Sequence, residues 1–122
     1  MTIDRPIAAL ARAARARKNR RMSEPFVSFR EFYPFYLSEH VDRTCRRLHI
    51  VGSTFVLIVL VVACVTQRWL LLLALPLIGY GFAWIGHFFF EHNRPATFKN
   101  PLYSFAGDWV MWWQVVTGRI KF

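Results

Sequence analysis

The residues of this 122-residue chain whose types and spacing could do chemistry are four histidines, His40, His49, His87 and His92, and one acid, Glu91. Two histidines stand just before the first long uncharged stretch and two close the second. Counting from Gln67, which lies between the stretches, His49 is 18 residues back and His87 is 20 residues forward. If both stretches are helices folded against each other, a rise of about 1.5 Å per residue brings the two imidazoles to the same depth within about 3 Å. Glu91 follows His87 by four residues, so a continuous helix projects both from one face. Two or three imidazoles with one carboxylate form the ligand set of non-haem Fe(II) oxygenases, which keep metal positions open for O2 and substrate. Zinc accepts the same donors. His40 and His49 are nine residues apart, half a turn out of phase on an ideal helix, so His40 must reach such a site from a loop before Asp42. His92 falls off the face of His87 and lies close to Pro95, where a helix should already have ended. The plainer alternative is that these histidines are amphipathic anchors at a membrane boundary and that Glu91 pairs with Arg94.

Arg46, Arg47 and Arg94 lie at the same boundary. They could clamp an anionic headgroup or a fatty carboxylate, because guanidinium binds carboxylate in two-pronged fashion; as ordinary positive-side anchors they need no ligand. Tyr80, Trp84 and Phe88–Phe90 could line an acyl-chain groove, with lipid-facing or helix-packing roles as the default. Asp42 is placed to cap a helix running into RTCRRLHIVG. Asp42, Asn93 and Asp108 are the candidates to orient ligand histidines from behind; Asp108 could equally begin a short helix. Cys45 and Cys64 have no metal or redox spacing and read as packing residues.

The elements that must position these groups are helical and apolar. The chain is 55% hydrophobic and 17% aromatic, which excludes a disordered tail protein, and its length allows one domain. A net charge of +9 invites a nucleic-acid reading, but the charge is badly distributed for one. Eleven of the sixteen basic residues lie in positions 1–47, one in 48–93 and four in 94–122. An almost chargeless middle between basic ends is the pattern of a membrane protein, and no nucleic-acid partner is expected. Residues 1–25 read as a basic arm, whose Ala/Arg-rich part could rest on anionic lipid; it has no secretory apolar region and too little Ser for a transit peptide. Residues 26–122 read as one membrane-embedded helical domain. Within it, 26–40 is aromatic and interfacial in character, 50–66 is a first span of about 25 Å, and 69–90 is a second of about 33 Å containing Pro76, Gly79, Gly81 and Gly86. A third helical segment over about 102–117, with Trp109, Trp112 and Trp113 clustered around Asp108, suits the interface or a partly re-entrant path better than a third span. The fold class expected is therefore all-α: an integral membrane helical hairpin with flanking interfacial helices. Charge places both termini on the cytoplasmic side, in the inner membrane of a bacterium or the endoplasmic reticulum of a eukaryote.

The stretches FYLSEHVDRTCRRLHIVG and GYGFAWIGHFFFEHNRPATFKNPLYSFAGDW together resemble a family of small membrane proteins long catalogued as a domain of unknown function. That family includes the fungal 2-hydroxy-fatty-acid dioxygenase of phytosphingosine degradation. The resemblance covers roughly residues 26–122. It implies an enzyme that uses Fe(II) and O2 to shorten a 2-hydroxy fatty acid by one carbon, with the lost carbon released oxidised. Carried over residue by residue, His40, His49, His87 and Glu91 fall on the family's recurring positions, as metal ligands and catalytic groups. His92 comes last as a ligand, since relatives commonly carry Lys there. The stretch NRPATFKNPLYSFAGD is typical of a mostly bacterial branch. The substrate's carboxylate and hydroxyl would chelate the metal, an Arg such as Arg94 would orient the chelate, and the bilayer would hold the acyl chain.

Two other functions compete with this one. A diiron hydroxylase or desaturase is excluded by inventory, since such sites use eight or more histidines and this chain has four. A non-catalytic lipid-binding or scaffold protein, holding a structural metal or none, is the alternative that metal analysis separates.

Overall fold

The computed structural model describes Arg12 and residues 25–122, so the reading of residues 1–25 as a basic arm falls almost wholly outside the described part. The chain forms two compact units, Met1–Phe32 and Tyr33–Phe122. Among the described residues every regular element is helical.

Ser28 and Glu31 start helix α1 (Phe29–Ser38), whose first four residues belong to the first unit and the rest to the second. The Glu31 N–H donates to Ser28 Oγ at 3.2 Å, and Glu31 Oε2 accepts from the Val27 N–H at 3.2 Å. Two donors that a helix start leaves free are thereby satisfied reciprocally.

The second unit is built on two long helical segments. Helix α2 (Arg43–Thr66) is capped by Asp42, whose Oδ1 accepts from the Cys45 N–H at 2.8 Å, and it ends at Gln67 in the left-handed region, φ 55°. The return segment, expected as one helix over 69–90, has three parts: a 3-10 helix over Trp69–Leu73, α3 (Ala74–Ile85) and a π-helical turn over Gly86–Glu91. Pro76 accounts for the first break. It has no N–H to return to Leu72, so it sits in the first turn of α3, where such donors go unpaired in any helix.

The two segments touch through glycines, in opposite chain order. A Cβ on Gly52 would stand 2.7 Å from Phe82 Cβ, and one on Gly86 would stand 3.1 Å from Cys45 Sγ. Larger side chains there would push the helices apart. Cys45 is buried as expected of a packing residue, whereas Cys64 faces outward.

Helix α4 (Pro101–Val116) begins with proline at its first turn. It buries Ser104, Gly107, Met111 and Val115, a stripe at helical spacing, and the Trp112 indole N–H donates to Thr54 Oγ1 of α2 at 3.0 Å. Both Arg43–Thr66 and Trp69–Glu91 are long and apolar enough to cross a membrane.

Candidate metal centre

Three histidines meet at the end of the long helices that lies away from Gln67. His40 comes from the connection between α1 and α2, His49 from α2, and His87 from the π-helical turn. All three are buried, with ligand atoms within 4.8 Å of one another. His40 Nε2 lies 3.2 Å from His49 Nε2, which lies 3.1 Å from His87 Nε2. The equal depth counted from Gln67 is thus realised as direct contact, and His40 does arrive from a loop before Asp42.

The outer nitrogens fix which way the rings present their lone pairs. His40 Nδ1 is 2.7 Å from the carbonyl oxygen of Tyr36. A carbonyl only accepts, so Nδ1 carries the proton and Nε2 is left with a bare lone pair. His87 Nδ1 is 2.7 Å from Asn93 Oδ1. The orientation of that amide is set by its own Nδ2, which donates to the Glu39 carbonyl and to Glu39 Oε2, each at 3.0 Å. His87 is therefore also a donor at Nδ1. His49 Nδ1 faces Asp108 Oδ1 at 3.4 Å. Each ring thus has an acceptor behind it, and the three Nε2 atoms converge, those of His40 and His87 as bare lone pairs.

Such an arrangement suits a shared cation. Two nitrogens bound about 2.1 Å from one ion at a right angle lie about 3 Å apart, close to the spacings here. Burial pushes the basicity of His40 well below its ordinary value, and the neighbouring His49 and His87 push it further, so the ring stays neutral and able to ligate.

The surroundings lock this geometry from several directions. Gly107 lets α4 approach the Tyr36 ring, against which a Cβ would stand 3.0 Å away. That approach brings Asp108 to the Tyr36 hydroxyl, which donates to Oδ1. Burial, then the Asp108 charge, raises the Tyr36 pKa well above the ordinary phenol value, which keeps the donor protonated. Arg46 Nη1 donates to the carbonyls of His40 at 3.0 Å and Val41 at 2.7 Å, holding the loop that carries His40.

The structure departs from the spacing argument at Glu91 and His92. Glu91 does not join the three imidazoles. Its carboxylate accepts from the backbone N–H groups of Val41 at 3.1 Å and Asp42 at 2.5 Å. Those donors open α2 and have no partner within the helix, so a carboxylate there satisfies them. Sharing a face with His87 was sound as periodicity, but it overlooked competition from these free donors. His92 is exposed, in the left-handed region at φ 57°, where it ends the π-helical turn, and it is not among the three clustered histidines. Asp42 is a helix cap, whereas Asn93 and Asp108 stand behind the His87 and His49 rings.

A cavity of about 380 Å³ opens from the three histidines. On α2 its wall runs from His49 past Ser53 and Val56 to Leu60, about 16 Å of helix. The facing wall runs from His87 past Ala83 and Gly79 to Leu75, and α4 contributes Ser104, Phe105, Asp108 and Trp109. Tyr80 and Trp84 line it, while Phe88, Phe89 and Phe90 do not. Arg46, Arg47 and Arg94, the expected clamps for an anionic group, are also absent from its walls. Arg46 is used on backbone carbonyls, the Arg47 guanidinium lies 5.2 Å over the Phe122 ring, and Arg94 is exposed. Tyr36 and Ser104 were not singled out in the sequence. Each stands four residues before a polar group of the site, His40 and Asp108 respectively, and that spacing was the available signal.

A model of the Mpo1-like proteins, described as 2-hydroxy-palmitic acid dioxygenase Mpo1-like, matches residues 26–120. The chain belongs to the Mpo1-like family. The match takes in every residue of the cluster, the ring-orienting Asn93 and Asp108, and the whole cavity wall. No curated protein and no solved structure matches the chain. The Mpo1-like description carries a dioxygenase activity on a 2-hydroxy fatty acid, and three close histidines able to hold a metal ion are consistent with it.

Proposed function

We propose that this protein is a membrane-embedded, Fe(II)-dependent dioxygenase that shortens 2-hydroxy fatty acids by one carbon. The observation that carries the reading is the convergence of three imidazole Nε2 atoms, of His40, His49 and His87, at the head of an apolar cavity. Iron held there would supply the activation of O2 and would leave positions free for oxygen ligands, as three-ligand sites do. Zinc accepts the same three imidazoles, and a structural zinc site is the alternative that the metal content decides.

The reaction balances without a further reductant. A 2-hydroxy acid and O2 give the acid one carbon shorter, CO2 and water: the C1–C2 bond breaks, C2 becomes the new carboxyl carbon, and the four electrons lost reduce O2. A chain this small therefore needs no second redox site. The protein's residues bind, orient and exclude water. The acyl chain lies along the wall from His49 towards Leu60, where about 16 Å accommodates about 12 methylenes at about 1.3 Å each. Asn93, Asp108 and the Tyr36 carbonyl hold the protons on the outer nitrogens and so keep the inner ones as donors to the metal.

Membrane insertion is part of the proposal. Val65, Leu70 and Leu77 are 78%, 82% and 77% exposed, in a band of apolar side chains that water would not tolerate. Lipid around α2 and the return segment removes that conflict and delivers an amphiphilic substrate to the cavity. In this reading both ends lie on the cytoplasmic side, which the distribution of basic residues supports, and Pro101–Val116 lies at the interface.

The test is aerobic incubation of the detergent-purified protein with Fe(II) and 2-hydroxypalmitate, followed by mass spectrometry. Formation of the C15 acid by the wild type, and its loss in a His49→Ala, His87→Ala double variant, is the expected result. No shortened acid from any 2-hydroxy acid between C12 and C18, with iron bound, overturns the assignment.

A further inference from the structure

Ser104 is buried, 2% exposed, yet its hydroxyl has no hydrogen-bond partner among the described residues. Most other helical hydroxyls with a described bond behave differently, and Ser53, which shows none, is partly exposed rather than buried. Thr54, Thr66 and Thr117 each donate to the carbonyl four residues back, at 2.7, 2.6 and 2.7 Å, and Ser38 donates to Phe35 at 2.6 Å. That back-bond is the ordinary fate of a hydroxyl in a helix. A buried hydroxyl without it loses hydration and gains nothing, unless something absent from the polypeptide completes it. Ser104 lines the cavity, one helical turn before Asp108, which faces His49.

The other walls sharpen the question of what that partner is. Among the described residues no Lys or Arg lines the cavity. The Asp108 carboxylate accepts from Tyr36 and can only accept, and the imidazoles of His40 and His87 present lone pairs rather than protons. An anionic head entering from the apolar side therefore meets acceptors beside the histidines, the more exposed hydroxyls of Ser53, Thr97 and Tyr80, and one fully buried, uncommitted O–H, that of Ser104.

We infer that Ser104 is a substrate-binding residue whose Oγ–H donates to the carboxylate of an acyl substrate seated in this cavity. The inference rests on the reading of the cavity as an acyl site, and it replaces the arginine clamp expected from the sequence. The carboxylate is the group most in need of a donor, and hydrogen bonds to charged acceptors are about twice as strong as neutral ones. Removing one such bond corresponds to a loss of roughly 10- to 100-fold in affinity.

The experiment measures binding rather than turnover. Fe(II)-loaded protein under nitrogen is titrated with 2-hydroxyhexadecanoate and, separately, with 1-hexadecanol, reading the fluorescence of the cavity residues Trp84 and Trp109. Ser104→Ala is expected to bind the acid at least about tenfold more weakly, to bind the alcohol as the wild type does, and to melt no earlier without ligand, since deleting an unpaired buried hydroxyl relieves a desolvation penalty. Ser104→Thr, which keeps the donor, is expected to recover most of the affinity. Acid binding unchanged in Ser104→Ala, an equal loss for the alcohol, or an earlier melting point overturns the assignment. Wild-type protein that binds the acid but never shortens it under air contradicts the dioxygenase reading and leaves Ser104 standing. Wild-type turnover with an unaltered Ser104→Ala titration does the reverse.

Discussion

The two ends of the long helices are built on opposite principles. At the end carrying His49 and His87, half-buried polar groups are committed: Asn93 ties His87 to Glu39, Glu91 ties the π-helical turn to Val41 and Asp42, and Arg46 ties α2 to the carbonyls of His40 and Val41. At the Gln67 end, Val65, Leu70 and Leu73 are mostly exposed and no side-chain network crosses between the segments among the described residues. One end is specified by hydrogen bonds that tolerate little displacement. The other is specified by length, apolarity and close approach at glycines. The difference shows where an apolar helical chain of this size uses its few polar residues: in fixing three rings drawn from distant stretches of chain.

Substitutions that set the two ends against each other test this contrast. The largest effect is expected at a ring of the cluster. His40→Ala should lower the rate of acid shortening by more than about 100-fold, because it removes a proposed ligand rather than a group behind one. A variant retaining wild-type turnover would remove His40 from the site. Next comes the layer behind the rings: Asn93→Ala should weaken iron binding by about 10- to 100-fold, measured by competition with a chelator, while the protein remains folded. Unchanged metal affinity would mean that the contact with His87 Nδ1 does not orient the ring.

Glu91→Gln separates the role expected from spacing from the role seen in the structure. As an acceptor for the Val41 and Asp42 N–H groups, its loss should lower stability by about 1–3 kcal/mol in a thermal melt and leave one metal per chain. Loss of metal with stability intact would restore Glu91 to the ligand set. The smallest effect is expected at the far end. Leu70→Ala should change stability by no more than about 0.5 kcal/mol, as for an exposed site, whereas a packed core leucine would lose about 2–5 kcal/mol.

Much of the site was legible because it depends on counting. The depth of His49 and His87 follows from helical rise, the arrival of His40 by a loop from its phase against His49, and the Asp42 cap from a short acceptor before a helix. The commitments of Glu91 and Arg46 were not legible, because each follows from which backbone groups a neighbouring segment leaves unpaired. The break before α3 was visible as Pro76, but its form was not, since a proline in an apolar run can kink a helix or start one. Ser104 was hidden because a helical serine ordinarily bonds its own backbone, and only a structure shows one that does not.

The account stands on three imidazoles sharing one ion. The most direct measurement is the metal content of the chain purified in detergent after supply of Fe(II), determined by elemental analysis for the wild type and for the His49→Ala, His87→Ala double variant. The account predicts about one iron per wild-type chain and essentially none in the variant. Equal metal in both proteins, or none in either, would contradict it.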